Sequence, residues 1–298
     1  MSYQAPLRDM YFILKALAGS DELSLLPGCE EASEDLIKAV LEEAGKFASG
    51  VLAPLNRVGD QQGCRLDEDG TVHTPDGWGD AYQQFCEAGW LGLSLPEEYG
   101  GQGLPRTLST PVWEMWSSAN HAFTMLPMLT LGQTEALMIA ADDTQKALWL
   151  PKIVSGEWAC TMNLTEPQAG SDLAATRSKA EPQADGSYRL SGQKIFISYG
   201  EHEMTPNIVH LVLARLPDAP PGVKGLSLFV VPKFIPDANG KPSTRNDIRC
   251  IAIEHKLGIH GSPTCTLSFG GEQGGAIGWM VGEPNTGLRT MFIMMNDA

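Results

Sequence analysis

The chain has 298 residues, enough for about two domains with cores of their own. Apolar residues make up 43% and charged residues 19%, with 7 Trp, 9 Phe and 6 Tyr, a composition that excludes a disordered chain. The formal net charge of −15, with no basic run interleaved with aromatics, lacks the electrostatic footprint of a nucleic-acid binder.

Nearly all of the acidity falls in residues 1–158, which carry 9 Lys/Arg against 23 Asp/Glu, whereas residues 159–298 carry 12 against 13. An anionic ligand meets less repulsion in the second half. A well-solvated helical surface is an equally good account of the acidic first half. Cys29, Cys64, Cys86, Cys160, Cys250 and Cys265 form no Cys-x-x-Cys pair, and Asp9 stands where a signal peptide needs positive charge. Reduced thiols and a cytoplasmic location are expected. No apolar run approaches the roughly 18 residues that span a bilayer.

In chain order, residues 1–158 show helical spacing and predict an α-helical domain. Leu36, Ile37, Val40, Leu41, Ala44, Phe47, Ala48 and Val51 recur at three and four, with Ser33 or Glu34 opening the helix and Pro54 stopping it. Similar patterns run over 78–88, from Leu108 past Trp113 and Trp116, and over 133–141. Residues 159–284 change to short β-rich runs at 159–164, 188–190, 194–198, 208–213, 226–231 and 264–269, separated by turn signals such as Asn239-Gly240. They predict a compact β-barrel or sandwich. Residues 285–298 revert to helix, with Leu288, Met291, Phe292 and Met295 forming an apolar stripe that is still running at Ala298. Without a closing cap, this reads as the start of a truncated helical domain, its stripe left uncovered.

Common catalytic motifs are missing. Gly101-Gln102-Gly103 leads into Pro105 and Arg106 rather than a dinucleotide-binding glycine, and there is no Walker A loop or Gly-x-Ser-x-Gly elbow. His255 and His260 lack a further ligand at metal spacing, so no metal is expected. Three segments stand out instead. Gly89-Trp90 through Gly101-Gln102-Gly103 reads as a structural turn region. Met162-Asn163-Leu164-Thr165-Glu166-Pro167-Gln168-Ala169-Gly170-Ser171-Asp172 runs from a strand into a loop whose bend, set by Pro167 and Gly170, can turn successive N–H groups toward a ring edge or a phosphate. An ordinary turn would read the same. In Ser191-Gly192-Gln193-Lys194-Ile195-Phe196-Ile197-Ser198-Tyr199-Gly200, Phe196 and Ser198 share a face, so an aromatic plane lies two residues from a hydroxyl. A half-buried barrel strand would look alike.

Taken in order, these three segments resemble the acyl-CoA dehydrogenase family, FAD enzymes that desaturate acyl-CoA thioesters between Cα and Cβ. The amino-terminal Tyr3-Gln4-Ala5-Pro6-Leu7-Arg8-Asp9-Met10 and the later Ile253-Glu254-His255-Lys256-Leu257-Gly258-Ile259-His260 look like its larger branch, which includes 3-methylmercaptopropionyl-CoA dehydrogenase. The resemblance implies a helical N-terminal domain (1–158), a β-barrel middle domain (159–284) and only the opening of a C-terminal helical bundle (285–298). It implies that Leu164 and Thr165 contact the flavin pyrimidine edge, that Ser198 bonds near N5 or O4, and that Phe196 flanks the ring where many relatives have Trp. Met162, Gly170 and Ile197 are implied as further cofactor-side positions. Ser171 is implied beside the flavin pyrophosphate and the CoA arm, and Asn296 on the substrate side. The family's catalytic Glu is expected beyond Ala298, so no residue of this chain is assigned as the base, and Glu97, Glu166 and Glu254 are set aside. Implied partners are an acyl-CoA substrate, an electron-transfer flavoprotein and, at full length, further copies of the chain. The competing expectation is a non-catalytic remnant or partner subunit that keeps the fold.

Overall fold

The computed structural model describes residues 3–297, so Ala298, the last residue of the expected bundle opening, lies outside the described residues. Two compact units form: one from residues up to Gly63 with Pro75–Thr124 and Gly258–Gly261, the other from Cys64–Thr74, Met125–Leu257 and the residues from Ser262 on.

The first unit is helical. It contains α1 (Leu7–Ala16), α2 (Glu34–Phe47), α3 (Ala53–Gln62), α4 (Trp78–Glu87) and the part of α5 (Arg106–Ala140) up to Thr124. Ser33 opens α2 by accepting the Leu36 N–H at 3.3 Å, and the periodic Ile37, Leu41 and Ala44 are buried. Pro54 does not stop the run as expected. A π-helical turn, Ala48–Leu52, carries the chain into α3, and Pro54 lies in the first turn of that helix, where a missing N–H leaves no bond unmade. The two helices expected around Trp116 and Gln133 join as α5, whose regular geometry breaks at Asn120 (φ −159°, ψ 86°). The Asn120 side chain caps the break, accepting the Phe123 N–H at 3.1 Å and donating to the Leu52 carbonyl at 3.3 Å. Phe85 anchors the core, edge-on to Trp116 at 5.1 Å and Phe123 at 6.1 Å between ring centroids. The 89–103 segment is structural: Trp90 packs 5.2 Å from Trp116, and a Cβ on Gly101 would stand 2.1 Å from the Leu95 carbonyl oxygen.

The second unit holds the small hairpin β1 (Arg65–Leu66) and β2 (Val72–His73), the rest of α5, α6 (Asp143–Val154), β3 (Trp158–Asn163), β4 (Lys179–Pro182), β5 (Tyr188–Ser198), β6 (Asn207–Arg215), β7 (Leu226–Pro232), the pair β8 (Phe234–Pro236) and β9 (Pro242–Arg245), β10 (Ile248–Ile253), β11 (Thr264–Phe269), β12 (Ala276–Val281) and α7 (Gly287–Asp297). Strand order in the main sheet is β10-β11-β5-β12-β7-β6-β3. β4 bonds to β5 on one side and β6 on the other, so the path β5-β12-β7-β6-β4 returns to β5 and the sheet closes like a barrel. Ala180, Leu190, Ile197, Val212, Ala214, Phe229 and Val231 fill it. β6 is buried from Asn207 to Ala214 and pairs on both edges, parallel with β3 and antiparallel with β7.

The tail forms the expected helix but rotates its stripe. Thr290, Met291 and Met294 are buried, while Phe292 stays 47% exposed. α7 is docked rather than uncovered: Gly287 lies so close to β7 that a Cβ there would meet the Ser227 carbonyl carbon at 2.4 Å.

Candidate functional site

The two chemistry-bearing segments meet in the second unit. β3 delivers the chain into Leu164-Thr165-Glu166, and β5 runs beside it through Lys194-Ile195-Phe196-Ile197-Ser198. The Ile195 N–H donates to the Thr165 carbonyl at 2.9 Å, which ties the loop to the strand next to Phe196.

Glu166 organises the loop. Its carboxylate is 3% exposed and accepts from Lys194 Nζ at 2.8 Å, Gln168 Nε2 at 2.6 Å, Arg177 N–H at 2.7 Å and Ser178 N–H at 3.1 Å. Burial alone would raise its pKa, but the Lys194 charge and the N–H donors overcome this and hold the carboxyl well below the usual range. Lys194 is fully buried and also donates to the Leu164 carbonyl at 2.9 Å. The bend itself is a tight turn closed by Glu166 N–H to Ala169 O at 2.9 Å and Ala169 N–H to Glu166 O at 3.0 Å. The turn thus uses the Glu166 and Ala169 N–H groups, and the Glu166 carboxylate takes up those of Arg177 and Ser178. Gly170 lies just past the turn, with only Thr165 Cγ2 within 4 Å of a Cβ built there, at 3.9 Å.

Donors remain where β3 ends and β5 bends. The N–H and hydroxyl of Thr165 and the hydroxyl of Ser198 make no hydrogen bond to any of the described residues, and both side chains are half-buried. Between them the Phe196 ring is 58% exposed. It stands there because β5 carries a bulge: Cys265 pairs with Ile197 and Leu267 with Lys194, so Ile195 and Phe196 together oppose Thr266. Phe196 takes φ 60°, a left-handed conformation that costs an aromatic residue on the order of 1–3 kcal/mol. The bulge resets the alternation, putting Lys194 inside while Phe196 and Ser198 face out. Ile197 points into the barrel core, Leu164 is buried, Met162 is half-buried, and Ser171 and Asn296 are exposed on the loop and on α7.

Behind the loop, Asn163 Nδ2 donates to Thr161 Oγ1 at 2.8 Å, and the Thr161 hydroxyl is hydrogen-bonded to His210 Nδ1 at 2.7 Å. Burial, followed by the Lys233 charge, pushes His210 down to about 3, so its ring is neutral. Asn163 Oδ1 is buried without a partner among the described residues. Sequence reasoning missed this chain and the Lys194–Glu166 pair. The signal available for the pair was that Lys194 is the single cation of its segment, while the other segment carries the acidic Glu166 and Asp172.

The donor set fits FAD. A flat heteroaromatic ring with acceptor atoms on its rim matches an outward aromatic face flanked by two unspent hydroxyls and one unspent N–H.

A helical domain leading into a closed β domain is the architecture of acyl-CoA dehydrogenase structures. The Caenorhabditis elegans ACDH-11 structure in complex with C11-CoA superposes with a TM-score of 0.79 at 21% identity, covering 99% of this chain and 49% of that one. A Bacillus anthracis acyl-CoA dehydrogenase complexed with FAD gives 0.69 at 24% identity, over 90% of this chain and 42% of that one. The family's N-terminal domain profile matches residues 35–157 and its middle domain profile residues 161–271. The chain belongs to the acyl-CoA dehydrogenase family, of which it carries the N-terminal and middle domains. It is 49% identical over 298 residues to the 3-methylmercaptopropionyl-CoA dehydrogenase of Ruegeria pomeroyi, covering 100% of this chain and 50% of that protein. The chain thus spans about half the length of the curated relatives it matches.

Proposed function

We propose that this chain is the flavin-side part of an FAD-dependent acyl-CoA dehydrogenase that desaturates a short acyl-CoA, with 3-methylmercaptopropionyl-CoA the substrate suggested by the Ruegeria relative's name. The observation that carries the reading is the set of unspent donors on Thr165 and Ser198 beside the outward Phe196 ring, within the domain that the family profile matches. When bound, FAD supplies a hydride acceptor. The chain's residues hold and polarise it: Thr165 donates to the polar edge of the ring, where donors favour the negative charge that builds up during reduction. Phe196 gives a stacking face and Ser198 a second donor. Leu164, Met162, Gly170 and Ile197 are assigned to the cofactor side through the same strand ends. Ser171 is assigned to the pyrophosphate and CoA arm, and Asn296 to the substrate side.

Proton removal from Cα needs a carboxylate free to accept it. Glu166 is a poor base because Lys194 and three N–H donors stabilise its charge, and Glu97 and Glu254 are solvated surface groups. On the family resemblance, the base is proposed to lie outside residues 1–298. An electron-transfer flavoprotein as acceptor, a homo-oligomeric whole protein and a cytoplasmic setting complete the proposal. Among the described residues, no helix is long and apolar enough to cross a membrane.

The test is an assay with FAD, 3-methylmercaptopropionyl-CoA and an artificial electron acceptor. Residues 1–298 should run at background, since loss of a general base alone costs about 10²- to 10⁴-fold, while a protein extended to the length of the relatives should turn over. Robust activity from residues 1–298 overturns the placement of the base. Failure of the extended protein with every short acyl-CoA overturns the function.

A further inference from the structure

A buried lysine needs a reason. Taking an ammonium out of water is expensive, and an apolar side chain would fill the same space without that penalty. Lys194 has two partners, the Glu166 carboxylate at 2.8 Å and the Leu164 carbonyl at 2.9 Å. Only the second reaches the site directly. A trans peptide points its C=O and N–H in opposite directions, and no peptide bond among the described residues is cis. The Leu164 carbonyl and the Thr165 N–H belong to one such plane. With the carbonyl drawn inward to the Lys194 ammonium, the N–H is turned outward, and it is the donor left without a partner among the described residues. The next plane is pinned as well, by the Ile195 N–H on the Thr165 carbonyl at 2.9 Å.

We infer that Lys194 is a positioning residue that aims the Thr165 N–H at the flavin ring edge, with Glu166 as the counter-charge that lets the ammonium stay buried there. The inference rests on the FAD reading above. It differs from a purely structural ion pair in one respect: the bond to the Leu164 carbonyl matters to the cofactor, and the bond to Glu166 matters only to the fold.

Two variants separate these roles. Glu166→Gln removes the counter-charge but leaves an amine able to donate to the Leu164 carbonyl. The double variant Glu166→Gln with Lys194→Met removes both without stranding a charge. Each is titrated with FAD by flavin fluorescence, and the bound-flavin absorption band and midpoint potential are recorded beside the melting temperature. The expected result is FAD affinity within about 3-fold of the original for the single variant. The double variant is expected to bind roughly 10-fold more weakly, about the worth of one well-aimed hydrogen bond to a polarised acceptor, with a changed flavin band and a lower potential. Equal affinity, band and potential in both variants, with only the melting temperature lowered, overturns the inference. Should the double variant not fold, the Thr165 amide resonance of the unaltered chain decides. A downfield proton shift on adding FAD supports the inference, and an unmoved resonance in the presence of bound FAD overturns it. Absence of any FAD binding by the unaltered chain overturns the FAD reading itself, a result distinct from all of these.

Discussion

Phe196 and Lys194 show how much a single residue's surroundings alter its meaning. Simple alternation along β5 would put both on one face, yet the bulge at Ile195-Phe196 sends the ring outward and the ammonium inward. Sharing of a face by Phe196 and Ser198 was legible because the two-residue alternation holds from Phe196 onward, with Ile197 turned inward between them. The partner of Lys194 was not, because pairing it with Glu166 needs a contact across 28 positions that no local spacing encodes. The buried titratable groups also fix the response to acid. Burial, aided by Lys233, pushes His202 and His210 down to about 3 from the ordinary 6.5, and Glu166 is held at about 2 against an ordinary 4.5. In each case the unfolded chain takes up the proton first as pH falls. Their stabilisation is therefore complete above pH 6.5, and it is lost in the histidine window from 6.5 down to about 3, with Glu166 joining below 4.5. His73, held between Asp67 and Glu203, is raised and acts in the opposite sense, its contribution fading as pH rises through its folded value. Urea denaturation at stepped pH should show stability falling by several kcal/mol between pH 6.5 and 4. A flat profile over that range would mean that the two buried histidines are accessible to protons in the native state.

At the level of elements, α7 gives the sharpest test of packing. Gly287 allows its first turn to rest against β7, where a Cβ would stand 2.4 Å from the Ser227 carbonyl carbon, backbone that a side-chain rotation cannot move aside. Gly287→Ala should destabilise the second unit by about 1–3 kcal/mol, as overpacking usually does. Gly79→Ala, at a helix position with nothing within 4 Å of the added Cβ, is the control and should be neutral or slightly stabilising. Equal melting temperatures for the two variants would mean that α7 does not dock as described. The helix itself was legible from Leu288, Met291, Phe292 and Met295, but its buried side was not: which side faces inward depends on the close approach at Gly287, and this turns Met291 and Met294 in and Phe292 out. In the same way, Pro54 was read as a stop because local spacing cannot distinguish the end of one helix from the first turn of the next. Strand β4 was not legible either. Its Lys-Ala-Glu-Pro sequence has little β character, and it is held in place by β5 on one edge and β6 on the other.

For the molecule as a whole, the central claim is that the second unit of this chain, taken with nothing else, already presents a flavin-recognition surface built from Thr165, Phe196 and Ser198. The chain spans about half the length of the curated relatives it matches, and on the function proposed above its binding of FAD is expected to be weak. The near-neutral charge of residues 159–298 favours an anionic cofactor there over the acidic first half. Titrating FAD into residues 1–298, and into a variant carrying Phe196→Ala and Ser198→Ala, while following flavin fluorescence is the most direct test. Saturable quenching by the unaltered chain, weakened at least about 10-fold in the variant, is the predicted result. Quenching that never saturates, or that is equal in the two proteins, would contradict the claim.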